Sequence, residues 1–452
     1  MKFSGHPDRI QGSMAGKIYL ETFGCQMNVL DGDLILSRMT GQGYVPTENR
    51  DEADVILFNT CSVRLHAEER ALSHAGTLQQ LKKRRPELVI GVVGCMAQNR
   101  QDEIFRLLPH VQLVVGPRKM GAIPRLVEEV RGTPHRRIAV EDFDDEFIDG
   151  GDAVQIRATR FQAYVKAMEG CDMSCAFCIV PTTRGNEVSR PPEKIADEVR
   201  RLVDQGTVEI TLLGQTINSY GKGIKPTVDL GGLLRRVHEV PGLRRIRFIT
   251  SHPSFVRPSL VEAMRDLPKV CKYLHLPPQS GSDRILKAMR RGYTAEKYLR
   301  IIDTLRESVA GIEVAADWIV GFPGETEQDF QESVRLLERI RFQNSYVFKY
   351  SPRPGTDAAA LADDVSEEEK KRRNQVLLDA QDRISREKNL ARIGQIVEIL
   401  VEGPSKTNPN RQTGRMDTHQ IVHFDAGQDL RGRFVSVEIL SATPHSLLAR
   451  MA

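Results

Sequence analysis

Cys171, Cys175 and Cys178 lie in Glu-Gly-Cys-Asp-Met-Ser-Cys-Ala-Phe-Cys, a C-x3-C-x2-C run. Three thiolates so closely spaced can ligate three corners of a [4Fe–4S] cube. Such clusters ordinarily take four cysteines, so the fourth iron is left open to a small molecule. Structural zinc pairs C-x2-4-C with a second, distant pair, which this segment lacks. Three more cysteines stand far apart: Cys25 in Phe-Gly-Cys-Gln-Met-Asn, Cys61 in Asn-Thr-Cys-Ser-Val-Arg, and Cys95 in Val-Val-Gly-Cys-Met-Ala-Gln. Each follows an apolar, strand-like run. Any one alone reads as a core thiol. If the runs are parallel strands of one open sheet, their C-terminal ends share an edge and the three thiols converge there as a second cluster site. The seventh cysteine, Cys271 in Lys-Val-Cys-Lys, has no partner at ligand spacing and reads as a dispensable structural thiol. Cysteines used this way in a long chain point to metal or catalysis and away from a disulfide framework.

The elements that must position these residues fall into three modules, as a chain of 452 residues leads one to expect. In residues 17–132, strand-like runs (Ile18–Phe23, Val55–Asn59, Leu88–Val93, Leu113–Val115) alternate with helical stretches (Asp33–Met39, Ala67–Lys83, Gln101–Leu107, Met120–Val130). That alternation predicts a doubly wound parallel sheet with helices on both faces. An acidic, glycine-bearing linker is expected over 133–157, centred on Glu141 to Glu146 and Gly150-Gly151. Residues 158–388 show six strand–helix repeats, with strands near Phe161–Met168, Glu209–Leu213, Arg245–Thr250, Tyr273–Leu276, Glu313–Val320 and Tyr346–Tyr350. Six units are fewer than the eight of a closed barrel, so an incomplete, splayed (β/α)6 barrel is expected, with the second cysteine triplet at its C-terminal face. Gly214, Gly281, Gly321 and Gly324 punctuate strand ends, where glycine makes a turn or lets backbone approach a ligand. After a long charged helix (about Glu367 to Ala391), residues 389–452 turn to short β runs (Ile396–Val401, His419–Phe424, Phe434–Leu440, Ser446–Arg450). These predict a small antiparallel β-barrel, with Lys406, Arg411 and Arg415 in a polar loop.

The formal charge of +4 permits a nucleic-acid partner without demanding one. The basic runs Lys82–Arg85, Arg290-Arg291 and Lys370–Arg373 read first as solvated helix faces. With aromatics at 6%, no long stacking platform for single-stranded RNA is visible. Apolar runs are strand-length, far short of a membrane span. Met1 to Gly16 reads as a polar tail, with Met14 as an alternative start, and no secretory segment is evident. A cytoplasmic protein is the expectation.

Over nearly its whole length the chain resembles the radical S-adenosylmethionine methylthiotransferases. The resemblance rests on Cys25, Cys61 and Cys95 in a separate N-terminal domain, on the Cys171/Cys175/Cys178 motif with Phe177 before its last cysteine, and on a C-terminal segment like the TRAM RNA-binding barrel. Gly24–Asn28, Asn59–Arg64, Gly94–Gln98, Thr250–Pro253 and Glu402–Lys406 look most like the branch that acts on isopentenylated adenosine beside the tRNA anticodon. Two departures touch no ligand position: Thr182 stands where the family commonly has Tyr, and Val29-Leu30 where it often has an acidic-Tyr pair. Trp318 is unusual and reads as core filler.

The resemblance implies two [4Fe–4S] clusters, one on each triplet, and S-adenosylmethionine on the open iron of the second, cleaved to a 5′-deoxyadenosyl radical. A methylthio group then replaces hydrogen at carbon 2 of the base. No side chain can do this as acid, base or nucleophile, so the cofactors carry the hard step. Phe177, Gly214, Gln215, Gln279 and Gly321 are candidates to contact S-adenosylmethionine. Arg184, Glu187 and Arg190, directly after the triplet, are candidates to line the pocket or to form structural ion pairs. Implied partners are tRNA, an electron donor such as a flavodoxin or ferredoxin, and an iron–sulfur carrier, with no membrane. The alternatives are a family member acting on threonylcarbamoyladenosine or on a ribosomal protein, a non-catalytic iron–sulfur RNA-binding or electron-transfer protein, and a zinc-dependent RNA-binding module.

Overall fold

A computed structural model describes residues 15–62, 65–140, 156–157, 159–406 and 408–452. The first unit is a parallel sheet of β1 (Gly16–Thr22), β2 (Tyr44–Pro46), β3 (Val55–Thr60), β4 (Val89–Gly94), β5 (Leu113–Val115) and β6 (Arg137–Ala139), in the order β2-β1-β3-β4-β5-β6. Every residue of β3 and β4 is buried, as expected where helices cover both faces and a strand reads as one continuous apolar run. Two clusters sit on opposite faces: one gathers Leu30, Leu34, Leu57, Val93 and Val127, the other Phe58, Ala71, Ile90, Ile104 and Val114.

The structure moves several boundaries. The first helix runs Gln26–Gly41 and so begins directly after Cys25, well before Asp33. The expected helix Ala67–Lys83 is two, Leu65–Gly76 and Gln79–Arg84. Another short helix, Cys95–Arg100, starts on a candidate ligand. The expected linker contains β6, whose residues are exposed or half-buried and so carry no apolar run to mark them. Its acidic centre lies outside the described residues.

The second unit holds β7 (Gln162–Lys166), the short antiparallel pair β8 (Met168–Glu169) and β9 (Val188–Ser189), then β10 (Glu209–Leu213), β11 (Arg245–Phe248), β12 (Tyr273–His275), β13 (Glu313–Val320) and β14 (Asn344–Lys349). The six long strands form two parallel three-stranded sheets, β11-β10-β7 and β12-β13-β14, joined by a bridge from Ile246 to Val270. This is the expected incomplete (β/α)6 barrel. One large core, from Val165 and Ile210 through Trp318 to Leu377, packs its helices on its strands. Trp318 is fully buried, with its ring edge-on to Phe342 at 5.8 Å and its Nε1 donating to Ser345 Oγ at 3.3 Å, a core residue as read.

In the third unit β15 (Ile396–Pro404), β16 (Arg411–Met416), β17 (Ile421–Asp425), β18 (Phe434–Ala442) and β19 (Leu447–Met451) close a barrel in the order β15-β16-β17-β19-β18. The polar loop expected over 406–415 becomes strand from Arg411 onward. Gln412, Gly414 and Met416 point inward while Arg411, Thr413 and Arg415 stay half-exposed, an alternation hidden by its polar and small residues. Arg411 pairs with Asp425, and Arg415 with Glu402. The turn from β16 to β17 sits against strands of the second unit: Arg247 on β11 donates to Met416 O at 2.7 Å and Asp417 O at 2.9 Å, and the Tyr273 ring stacks on His419 at 4.5 Å.

Candidate functional site

Parallel pairing fixes the first triplet. Adjacent strands lie about 4.8 Å apart, and β1, β3 and β4 are consecutive in the sheet. Cys61 directly follows β3 and Cys95 directly follows β4, while Cys25 follows β1 after Phe23 and Gly24. This edge also holds the point where strand order reverses, between β1 and β3, the usual place for ligands in open α/β sheets. Gly24 has φ +139°, and a Cβ there would lie 2.4 Å from Cys61 Cβ, so only glycine lets the first two ligand loops meet. The Asn residues of the two motifs interlock. Asn28 Nδ2 donates to Asn59 Oδ1 at 3.2 Å and Thr60 O at 2.9 Å, and Asn59 Nδ2 donates back to Asn28 O at 2.7 Å. Reasoning from sequence missed this pair, although its signal was present in the two Asn-containing motifs.

Cys61 and Cys95 are buried and Cys25 is exposed. The Cys25 thiol is lowered to about 6, first by a hydrogen bond from Cys61 and then by the Arg184 charge and the backbone N–H groups of Asn28 and Met27. Burial pushes Cys95 up, against the pull of Arg184. Beside the triplet, Glu21, Thr22, Phe23, Gly24, His66, Ala67 and Arg70 line an open hollow of about 280 Å³.

The second triplet lies in the loop after β8. Met173 N–H donates to Cys171 Sγ at 3.4 Å, Thr216 Oγ1 stands 3.3 Å from the same sulfur, and Arg291 Nη1 donates to Cys175 Sγ at 3.3 Å. Burial pushes Cys178 up to about 12 and raises Cys171 as well, so a metal must displace protons to bind there. Arg291 corrects the reading of Arg290-Arg291 as a solvated face: it is 6% exposed, and its other nitrogens donate to Tyr293 Oη and Pro277 O. The other basic runs are mixed: Lys83, Arg84, Lys371 and Arg372 are exposed, as a solvated face requires, while their neighbours engage protein acceptors. Lys82 donates to Leu88 O and Gln112 Oε1, Lys370 pairs with Asp363, and Arg373 with Glu325, each holding structure together.

Of the proposed S-adenosylmethionine contacts, Gln215 Oε1 accepts from Gly170 N at 2.7 Å, bracing the residue before Cys171. Phe177 packs partly buried beside Ala176, Ile285, Phe322 and Tyr350. Gln279, at the end of the β12 segment, has φ +68°, and Thr250 after β11 has φ +69°; such conformations are costly for these residues and cluster at functional mouths. A side chain at Gly214 would strike Met168, and one at Gly321 would strike Lys370, so both glycines answer to packing. Buried unsatisfied atoms also gather here: Ser251 Oγ and His252 Nε2, in the loop after β11, have no hydrogen-bond partner among the described residues.

Of the candidate lining residues, Glu187 accepts from Ser219 Oγ at 2.5 Å and burial raises its carboxyl. Arg190 is 3% exposed, pairs with Glu198 at 2.7 Å and donates to Lys166 O at 2.6 Å. Arg184 crosses to the first unit: Nη2 meets Asp31 Oδ2 at 2.7 Å, Nη1 meets Glu169 Oε1 at 2.7 Å, and Nε donates to Cys95 Sγ at 3.3 Å. Lys166 Nζ closes the ring, 3.1 Å from both Asp31 and Glu169. One buried ionic seam therefore joins the first and second units, and its arginine reaches a cysteine of the first triplet. Among the described residues no three His, Cys, Asp or Glu side chains surround a single-ion site; the ligands of a cube stand instead at separate corners, each on its own iron. The donor sets fit such clusters: three thiols each, with N–H groups directed at sulfur.

Residues 165–337 match the Radical SAM superfamily, residues 17–116 the uncharacterized protein family UPF0004, and residues 391–452 the TRAM domain. The chain is 45% identical to a tRNA-2-methylthio-N(6)-dimethylallyladenosine synthase of Rhodopirellula baltica over 97% of this chain and 96% of that protein. It is 43% identical to one of Methylacidiphilum infernorum over 95% of this chain and 93% of that protein. Among solved structures it is similar in fold to a radical S-adenosylmethionine methyltransferase, TsrM, from Kitasatospora setae, with a TM-score of 0.57 and 14% identity over 76% of this chain and 77% of that one.

Proposed function

The chain belongs to the tRNA-2-methylthio-N(6)-dimethylallyladenosine synthases of the radical SAM superfamily, and from that premise we propose that it places a methylthio group on carbon 2 of N6-isopentenyladenosine next to the anticodon of tRNA, with one [4Fe–4S] cluster on Cys171, Cys175 and Cys178 and a second on Cys25, Cys61 and Cys95. The observation that carries this reading is the contact between the two triplet-bearing units, where Arg184, six residues past Cys178, reaches the sulfur of Cys95.

When bound, the clusters and S-adenosylmethionine supply the one-electron and sulfur chemistry that an aromatic C–H bond requires and no side chain offers. The chain's own residues hold and shelter the site. Arg291 and the Met173 N–H steady the thiolates of Cys175 and Cys171, and Gln215 ties down the loop at Gly170. Asn28 and Asn59 keep the first two ligand loops in register. Phe177, Gly214, Gln215, Gln279 and Gly321 border the place assigned to S-adenosylmethionine, and Glu187 stands at the edge of the barrel mouth. A base in a tRNA loop can splay into that mouth without melting a duplex, and the isopentenyl tail seeks an apolar slot at roughly 0.8 kcal/mol per CH₂. Electrons and replacement clusters come from outside the chain, from a flavodoxin or ferredoxin and an iron–sulfur carrier. Work on tRNA places the enzyme in the cytoplasm; among the described residues no helix is long and apolar enough to cross a membrane.

The test is anaerobic reconstitution, followed by incubation with isopentenylated, unmodified and threonylcarbamoylated tRNA and mass analysis of the nucleosides. Methylthiolation of the isopentenylated substrate, in strong preference to the others, is expected. Equal turnover of all three, or preference for the threonylcarbamoyl form, would sink the assigned substrate.

A further inference from the structure

Arg184 belongs to the radical domain in sequence and to the first triplet in space. It ends the helix Val180–Arg184, and the turn that follows, at Gly185, accepts the Cys171 N–H at 3.0 Å. A single turn thus touches a ligand of each triplet: Cys171 through the Gly185 carbonyl, and Cys95 through Arg184 Nε at 3.3 Å. The guanidinium is 3% exposed, and all three of its nitrogens have acceptors, two of them on carboxylates and one on sulfur.

Two carboxylates alone would explain a buried arginine. The third bond needs its own account, because it runs to a thiol of the other unit. We propose that Arg184 is the positioning residue that sets the reduction potential of the cluster on Cys25, Cys61 and Cys95, so that this potential is reached only when the first two units are docked. The inference rests on the reading above, that this triplet carries a cluster.

A hydrogen bond to a ligating sulfur favours the more electron-rich, reduced cluster, and such bonds are among the main protein controls on potential. The charge around the bond is balanced, with Asp31 and Glu169 set against Lys166 and Arg184. What reaches Cys95 is therefore chiefly the directed N–H bond. Taking away the guanidinium removes that bond and also leaves two carboxylates facing one ammonium beside the sulfur. Both changes disfavour reduction.

The measurement uses the full chain with Cys171→Ala, Cys175→Ala and Cys178→Ala, reconstituted without oxygen, so that only the first triplet can hold iron. Its midpoint is titrated by electron paramagnetic resonance. Arg184→Gln is expected to shift the midpoint to more negative potential. Arg184→Lys, which keeps the charge and loses the fork, should fall between it and the parent. Arg184→Gln with Asp31→Asn restores the charge balance, so its remaining negative shift reads the lost hydrogen bond. A structural role alone would lower stability or iron content and leave the midpoint of the loaded protein where it was. Midpoints unchanged from the parent, in whichever of these variants folds and loads, overturn the proposal. A parent that binds no iron at all instead overturns the reading of the triplet, and the proposal with it.

Discussion

At the scale of single residues, the first ligand set depends on contacts that leave no room for adjustment. Gly24→Ala would drive a methyl group into Cys61 at a backbone angle that L residues avoid. Iron in the reconstituted chain should then fall from about eight toward about four per molecule, whereas Gly41→Ala, which meets nothing within 4 Å, should keep the full count. Cys271 is the opposite case. It is 3% exposed with its thiol pushed up to about 11 by burial, and it faces neither triplet. Cys271→Ser should retain iron and activity, as measured by iron analysis and 5′-deoxyadenosine release. His252 makes a third residue-level case. Burial first, then the Arg291 and Lys297 charges, lower it from 6.5 to about 3, while the rings of Tyr293 and Phe255 pack against it. The folded chain thus binds fewer protons than the unfolded one between those values. Stability is unaffected by this group above pH 6.5 and falls below it, by about 1.4 kcal/mol per unit. Urea unfolding at about pH 7 and about pH 5 should show His252→Gln losing roughly 2 kcal/mol less than the parent on acidification; equal losses would refute the assignment.

Among elements, the C-terminal barrel also braces the second unit. Its β16–β17 turn meets the inner strands of the radical unit, where Arg247 joins Glu209 at 3.0 Å to two barrel carbonyls. Arg247→Ala would leave the buried Glu209 carboxylate without its nearest cation, at a cost of roughly 3–5 kcal/mol, measurable by chemical denaturation. A surface arginine such as Arg450 should cost far less. Sequence periodicity made the long strands and the order of the three units legible, because continuous apolar runs and strand–helix alternation are local signals. It missed β2, β6 and β16, which are short or carry polar and small residues on their buried face. It also misread Arg291, Lys370 and Arg373, because whether a cation lies on a solvated face or against a buried acceptor depends on partners distant in the chain.

For the whole molecule, the ionic seam between the first two units joins residues far apart in sequence: Asp31 with Lys166 and Arg184. No pattern along the chain announces such a pairing. Six of the seven cysteines were legible as two sets, because strand ends mark one and close spacing marks the other. The arginine that links them was legible only as a charged residue near a motif. Two of its three acceptors, Asp31 and Cys95, come within reach only once the two units have docked.

The two triplets differ in how much folding each needs before it exists. Cys171, Cys175 and Cys178 remain neighbours in an unfolded chain, so a denatured molecule can still chelate iron there. Cys25, Cys61 and Cys95 are brought together only by the register of β1, β3 and β4, and unfolding opens two long loops whose closure carries an entropic cost. A ligand held by the native state alone adds its full binding free energy to stability, whereas one that also binds the unfolded chain adds less. Iron on the first set should therefore act as a staple across the sheet, and iron on the second much less so. Guanidinium titrations of loaded and iron-free protein, with one triplet at a time replaced by alanine, should show the larger rise in midpoint when the strand-end set is the one retained.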